Sequence, residues 1–241
     1  MNNKFFCYNC LLSIIYMNCF EFGLLYYLIS YIIFSVIFYF IKNNTAIKLI
    51  RLFLCSVVSV YFIYKLITIT NRFFNQKTLI VPIIVVIVYS AVKRFESVSL
   101  INKYAFVCSI IFLLIPCLMY TPQITLKALS FSKINELPMI LALSALPFSF
   151  NYKTTLKAFP IYLLFNYIFI FSTKEGMGII GISENINIDF IFSTLELVYI
   201  FGLYLTVMPV IATACSYIVD YSNRIFNKTV PFLKKHRLII I

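Results

Sequence analysis

Residues 23–41 read GLLYYLISYIIFSVIFYFI, with no charged side chain, and residues 49–69 read LIRLFLCSVVSVYFIYKLITI. An α-helix rises 1.5 Å per residue, so about 20 apolar residues cross the roughly 30 Å hydrocarbon core of a bilayer. Runs near that length recur along the chain, and their reading decides the fold class. The composition agrees: 62% of the 241 residues are hydrophobic and 12% are charged, where a soluble domain carries about 25% charged residues. A surface this apolar is matched by lipid and not by water.

Working outward, the apolar runs predict helices over 23–41, 49–69, 78–92, 104–119, 137–150, 158–171 and 190–219. The stretch 5–20 is an eighth and weaker one, interrupted by Asn9 and Asn18. The expected fold is all-α, a polytopic membrane protein of about 7–8 transmembrane helices in one integral domain. In it, 1–22 is a degenerate first crossing, 23–219 the helical bundle and 220–241 a basic cytoplasmic tail. The gaps are too short for a soluble domain. No cleavable signal peptide is expected, because Glu21 interrupts the first apolar stretch and no small-residue cleavage site follows it.

The net charge of +12 is spread through the gaps between apolar runs, so no basic face is gathered for nucleic acid. With the first gap placed inside, 13 cations fall on the inner side and 7, Lys4 among them, on the outer side. That bias puts the C-terminus in the cytoplasm and the protein in the cytoplasmic membrane. Lys234, Lys235, His236 and Arg237 form the one local basic cluster, suited to anionic lipid.

Chemical motifs are few. Cys7-Tyr-Asn-Cys10 has C-x-x-C spacing, but no second pair and no nearby histidine accompany it. Gly176-Met-Gly-Ile-Ile-Gly181 has the G-x-G-x-x-G pattern without the preceding strand that nucleotide binding needs, and reads as a glycine turn. No nucleophile–base pair, carboxylate pair or metal cluster is present, so no enzyme activity, cofactor or metal is expected. Arg51 and Lys65 lie near the two ends of one run and read as snorkelling to the interface. Pro209 is expected to kink the last helix.

Two places carry a ligand reading. Residues 130–136, SFSKINE, are polar and precede a short apolar run with Pro138 in its first turn. Either this is an ordinary helix start at the outer interface, capped by Ser132 or Asn135, or it is a break before a half-helix. In the second case Phe131, Ser132, Asn135 and Glu136 gather at a positive helix end. Glu196 in the 190–219 run lies either at headgroup depth or against a wet cavity.

Several stretches resemble the spore-germination permease family, the B subunits of endospore germinant receptors. They are LIVPIIVVIVY at 79–89, AVKRFESVSLINKYAF at 91–106, YTP at 120–122, FSKINE at 131–136 with LPF at 146–148, KTTLKA at 153–158, the 176–181 turn, and DFIF at 189–192. The departures are Phe95 before Glu96 and Leu100 near the position of the family's arginine. The resemblance covers residues 75–225 and implies the amino acid–polyamine–organocation transporter superfamily. Its spans would be helices two to eight, so a reduced or truncated homologue is expected. It further implies a permease-like receptor subunit of the inner spore membrane that senses a small nutrient such as an amino acid. The partners implied are the lipid bilayer, a larger membrane subunit and a lipoprotein. Thr121-Pro122, Thr125, Ala128-Leu129 and Glu136-Leu137 are also similar to the transmembrane coupling subunit of energy-coupling-factor vitamin transporters, though its Ala-Arg-Gly motifs are missing. A structural membrane subunit without a ligand is the third reading.

Overall fold

The computed structural model describes residues 4–18, 24–41, 44–74, 84–85, 88–89, 101–112, 137–174 and 189–229. Among them are seven α-helices and no strand: α1 (Lys4–Asn18), α2 (Leu24–Phe40), α3 (Asn44–Phe74), α4 (Ile101–Phe112), α5 (Leu137–Phe150), α6 (Tyr152–Lys174) and α7 (Asp189–Thr229). The all-α expectation holds for these residues. Of the run at 78–92, only four helical positions are described.

Among the described residues two stretches are long and apolar enough to cross a bilayer, Thr45–Thr68 in α3 and Phe201–Arg224 in α7. The apolar helices Lys4–Ile14, Leu25–Phe40, Ile101–Phe112 and Leu137–Phe150 are shorter. The described residues therefore hold two full-length candidates where the run lengths predicted seven or eight crossings. Boundaries moved where polar residues continue a helix. Lys153 and Lys157, expected in a gap, stand in the first turns of α6, and α7 carries Arg224 into what was read as the tail.

The short helix α5 is the most enclosed element. Every residue from 142 to 149 is buried, and α1, α2, α3 and α6 pack around it. A helix that is apolar on all sides has no face to give to water. Its sequence, LPMILALSALPFSF, has that character, with small Ala142, Ser144, Ala145 and Ser149 letting neighbours approach. Pro138 stands in its first turn, as the sequence suggested. The second centre is α7, buried at every position from 206 to 214 and packed on α1 and α3.

The outer faces remain apolar. On α2, Leu28, Ile29, Ile32, Ile33, Val36 and Ile37 are exposed, a helical stripe, while Tyr27 and Ser30 point inward. Phe53, Val60 and Tyr64 are exposed on α3, and Ile161 and Leu164 on α6.

Between α5 and α6 only Asn151 intervenes. Its N–H donates to the Pro147 carbonyl at 3.1 Å and its own carbonyl accepts from Thr155 N–H at 3.0 Å. Its Oδ1 accepts from Thr154 N–H at 3.1 Å, the bond of an N-cap. The rings of Phe148 and Phe159 lie 5.9 Å apart, whereas a straight helix would separate those positions by roughly 16 Å along its axis. Asn151 is thus the apex of a sharp helical corner.

Candidate functional site

Phe131, Ser132, Asn135 and Glu136 lie outside the described residues, and α5 begins at the next position, Leu137. Glu196 falls within α7 at a position where only the backbone is described. The glycine motif at 176–181 and the basic cluster at 234–237 are also outside the described set. Two other polar groupings, neither anticipated as a site, are built in full.

The first joins α1, α4 and α7. Asn9 Nδ2 donates to the Asn102 carbonyl at 2.9 Å and to Asn102 Oδ1 at 3.0 Å. Asn102 Nδ2 donates to Thr213 Oγ1 at 2.7 Å, and that hydroxyl donates to the Pro209 carbonyl at 2.7 Å. All three side chains are fully buried. Buried amides are costly unless bonded, yet Asn9 Oδ1 has no hydrogen-bond partner among the described residues. Asn9 was read as a helix break. In the structure it is an interhelical anchor, because a neighbouring helix supplies the partners that an apolar run lacks.

Small and polar residues extend this contact into a seam. Asn102, Ala105 and Ser109 are the buried positions of α4, spaced three and four apart, which puts them on one face. On α7 the buried Gly202, Thr206, Pro209, Thr213 and Ser216 repeat at fours and threes. The helices run antiparallel, since Asn102 meets Thr213 while the Phe112 and Phe201 rings meet at 5.1 Å. The hydroxyls of Ser109 and Thr206 donate back to Ala105 and Gly202 carbonyls at 2.6 Å, which satisfies both donors within their own helices. The spacing of Asn102, Ala105 and Ser109 was the available sequence signal.

The second grouping is at the α5–α6 corner. Arg51 Nε donates to the Ser149 carbonyl at 3.1 Å, and Nη2 donates to the same oxygen. The guanidinium carbon lies 4.5 Å from the Phe150 ring centre and 5.4 Å from that of Tyr217. Arg51 is therefore directed into the protein at this end and does not simply reach outward. Lys65 lies over Tyr61 at 5.7 Å. Cys7 Sγ donates to the Pro147 carbonyl at 3.5 Å, and the Phe6 and Phe150 rings are 4.5 Å apart, so α1 starts at the Arg51 end. Lys4 stands there too, on the opposite side from the one the charge count assumed, because α1 is a helix packed into the bundle.

An apolar groove of about 310 Å³ opens between α2, α3 and α5, lined by Ile37, Phe38, Ile50, Phe53, Leu141 and Ala145 among others. It offers no polar group to orient a nutrient. Cys7 and Cys10 are buried free thiols, and among the described residues no cluster of three His, Cys, Asp or Glu is placed to hold a metal. No protein-family model, no curated protein and no solved structure matches this chain.

Proposed function

We propose that this chain is an integral membrane protein of amino-acid-permease type, the permease-like subunit of a spore germinant receptor that senses a small polar nutrient. The observation that carries this reading is the enclosed short helix α5. The apolar run 137–150 follows directly on the polar residues 130–136 in the sequence, and its helix sits at the centre of the bundle. Short helices held inside protein are how permeases bring free backbone groups to a ligand at depth.

The membrane setting is supported by the exposed aliphatic stripe of α2 and the apolar outer faces of α3 and α6, a patch that would drive association in water. The buried seam supports a ligand of polar character, since it is lined by amide and hydroxyl groups and holds an unused acceptor on Asn9. Phe131, Ser132, Asn135 and Glu136, leading into α5, and Glu196 on α7 are assigned as the ligand-binding residues. The bilayer, a larger membrane subunit and a lipoprotein are the partners, and the inner spore membrane is the location, with the C-terminus in the cytoplasm.

The deciding experiment is Glu136→Ala in a spore-forming host. Nutrient-triggered germination is expected to disappear while the protein accumulates in the membrane at the normal level. A normal response with normal accumulation overturns the proposal. Copurification with ATPase subunits would move the chain to the vitamin-transporter coupling role.

A further inference from the structure

We propose that the Arg51 corner is a binding site for an oxyanion, the phosphate of an anionic phospholipid. This goes beyond the nutrient role and rests only on the membrane reading.

The argument starts from the donors. A guanidinium carries five N–H groups in a planar fork, and here Nε and Nη2 turn to a single carbonyl, that of Ser149. Phe150 and Tyr217 cover the group with their rings, which attracts the cation but does not neutralise it. Among the described residues no carboxylate forms an ion pair with Arg51. The C-terminal end of α5 contributes about half a negative charge, so among the described residues a net positive charge remains, half-buried among apolar groups. Such a charge is costly without a counter-ion.

More cations face the same end. Lys48, exposed, stands one turn before Arg51 on α3, and three-residue spacing puts both on one face. Lys4, exposed, lies in the first turn of α1, two residues before Phe6 and its contact with Phe150. Lys153, exposed, follows the corner residue Asn151 by two. Asp220, one turn beyond Tyr217, is the acidic side chain described at this end, and it has an interaction of its own.

Depth and surroundings select the source of the anion. The chain reverses at Asn151, and a polar reversal between apolar helices marks headgroup level. Leu49 and Phe53 on α3, beside Arg51, and Ile161 on α6 are exposed, where acyl chains would lie. The planar fork of arginine matches phosphate oxygens two at a time, which a lysine cannot do.

The test uses the full chain in nanodiscs of equimolar phosphatidylglycerol and phosphatidylcholine, with retained lipid read by native mass spectrometry. The wild type is expected to keep phosphatidylglycerol in preference. Lys48→Gln, at an exposed position, should lower that preference roughly fivefold. Arg51→Gln should abolish it, Arg51→Lys should keep part of it, and Lys65→Gln, far along α3, should leave it unchanged. Absence of a preference in the wild type, or equal preference in the wild type and Lys48→Gln, overturns the site. Millimolar inorganic phosphate that removes the retained lipid and raises the melting temperature in phosphatidylcholine-only discs overturns the lipid source in favour of a free anion. A chain that fails to enter nanodiscs strikes the membrane reading itself, whereas entry without lipid preference strikes this inference alone.

Discussion

Asn102 uses both halves of its amide inside the bundle, accepting from Asn9 and donating to Thr213. Hydrogen bonds between membrane helices contribute about 0.6 kcal/mol on average and up to about 1.7. A double-mutant cycle of Asn102→Leu and Thr213→Val should therefore give a coupling of about 0.6–1.7 kcal/mol in denaturant unfolding in detergent. A coupling indistinguishable from zero would mean that the contact does not join α4 to α7. Asn9→Leu is a sharper case, because it removes an anchor and an unpartnered acceptor together. Its stability cost should be about 1–3 kcal/mol, since the buried Asn102 Oδ1 loses the donor that Asn9 supplies, while a nutrient response that uses the Asn9 acceptor should fall. The sequence shows these residues as polar marks in apolar runs. It does not show the pairing, because the partners stand 93 and 111 positions apart.

At the scale of the element, α5 was legible and its place in the bundle was not. Its described span, 137–150, is that of the apolar run, and Asn151 after Phe150 punctuates its C-terminal end. An apolar run of this length suits a buried core helix and a re-entrant segment alike, and only its neighbours separate the two. Phe148 is 1% exposed and stacks near Phe38 and Phe159, so Phe148→Ala should cost about 3–5 kcal/mol by leaving a cavity. The corner is a smaller term. Asn151→Ala removes the cap on α6 and should cost about 1 kcal/mol, with Asn151→Ser recovering most of it. Both are read from denaturant midpoints, and a loss at Asn151 as large as that at Phe148 would mean that the corner, not the core, holds the two helices together. The gap at 151–157 was read as a connection because lysines crowd it. The side chains of Lys153 and Lys157 are exposed, so a helix can carry them past the corner at no burial cost.

For the whole molecule, one end gathers the first turn of α1, the starts of α3 and α6, and the end of α5 near Tyr217 of α7. Cysteines introduced at Lys48, Lys153 and Arg224 should therefore react with an impermeant maleimide from one face of the membrane, which is the cytoplasmic one in the proposed orientation. A cysteine at exposed Thr68, about 30 Å further along α3, should react from the other. Labelling of all four from a single face would refute the arrangement of α3 as a crossing helix. The protein should also remain in the pellet after alkaline carbonate extraction, as expected for helices with apolar outer faces.

What the sequence determined by itself is the helical class and the approximate positions of the described helices. Those follow from local quantities, run length and charge, that need no partner. Only the tertiary structure decided that α5 lies at the centre, that Asn9 is an anchor and not a break, and that Arg51 turns inward to the end of α5. Each of these depends on what another helix presents across the contact. In so uniformly apolar a chain, hydrophobicity separates helix from connection but hardly distinguishes a face toward lipid from a face toward protein. Small residues and paired polar groups make that distinction, and they have meaning only once the helices are side by side.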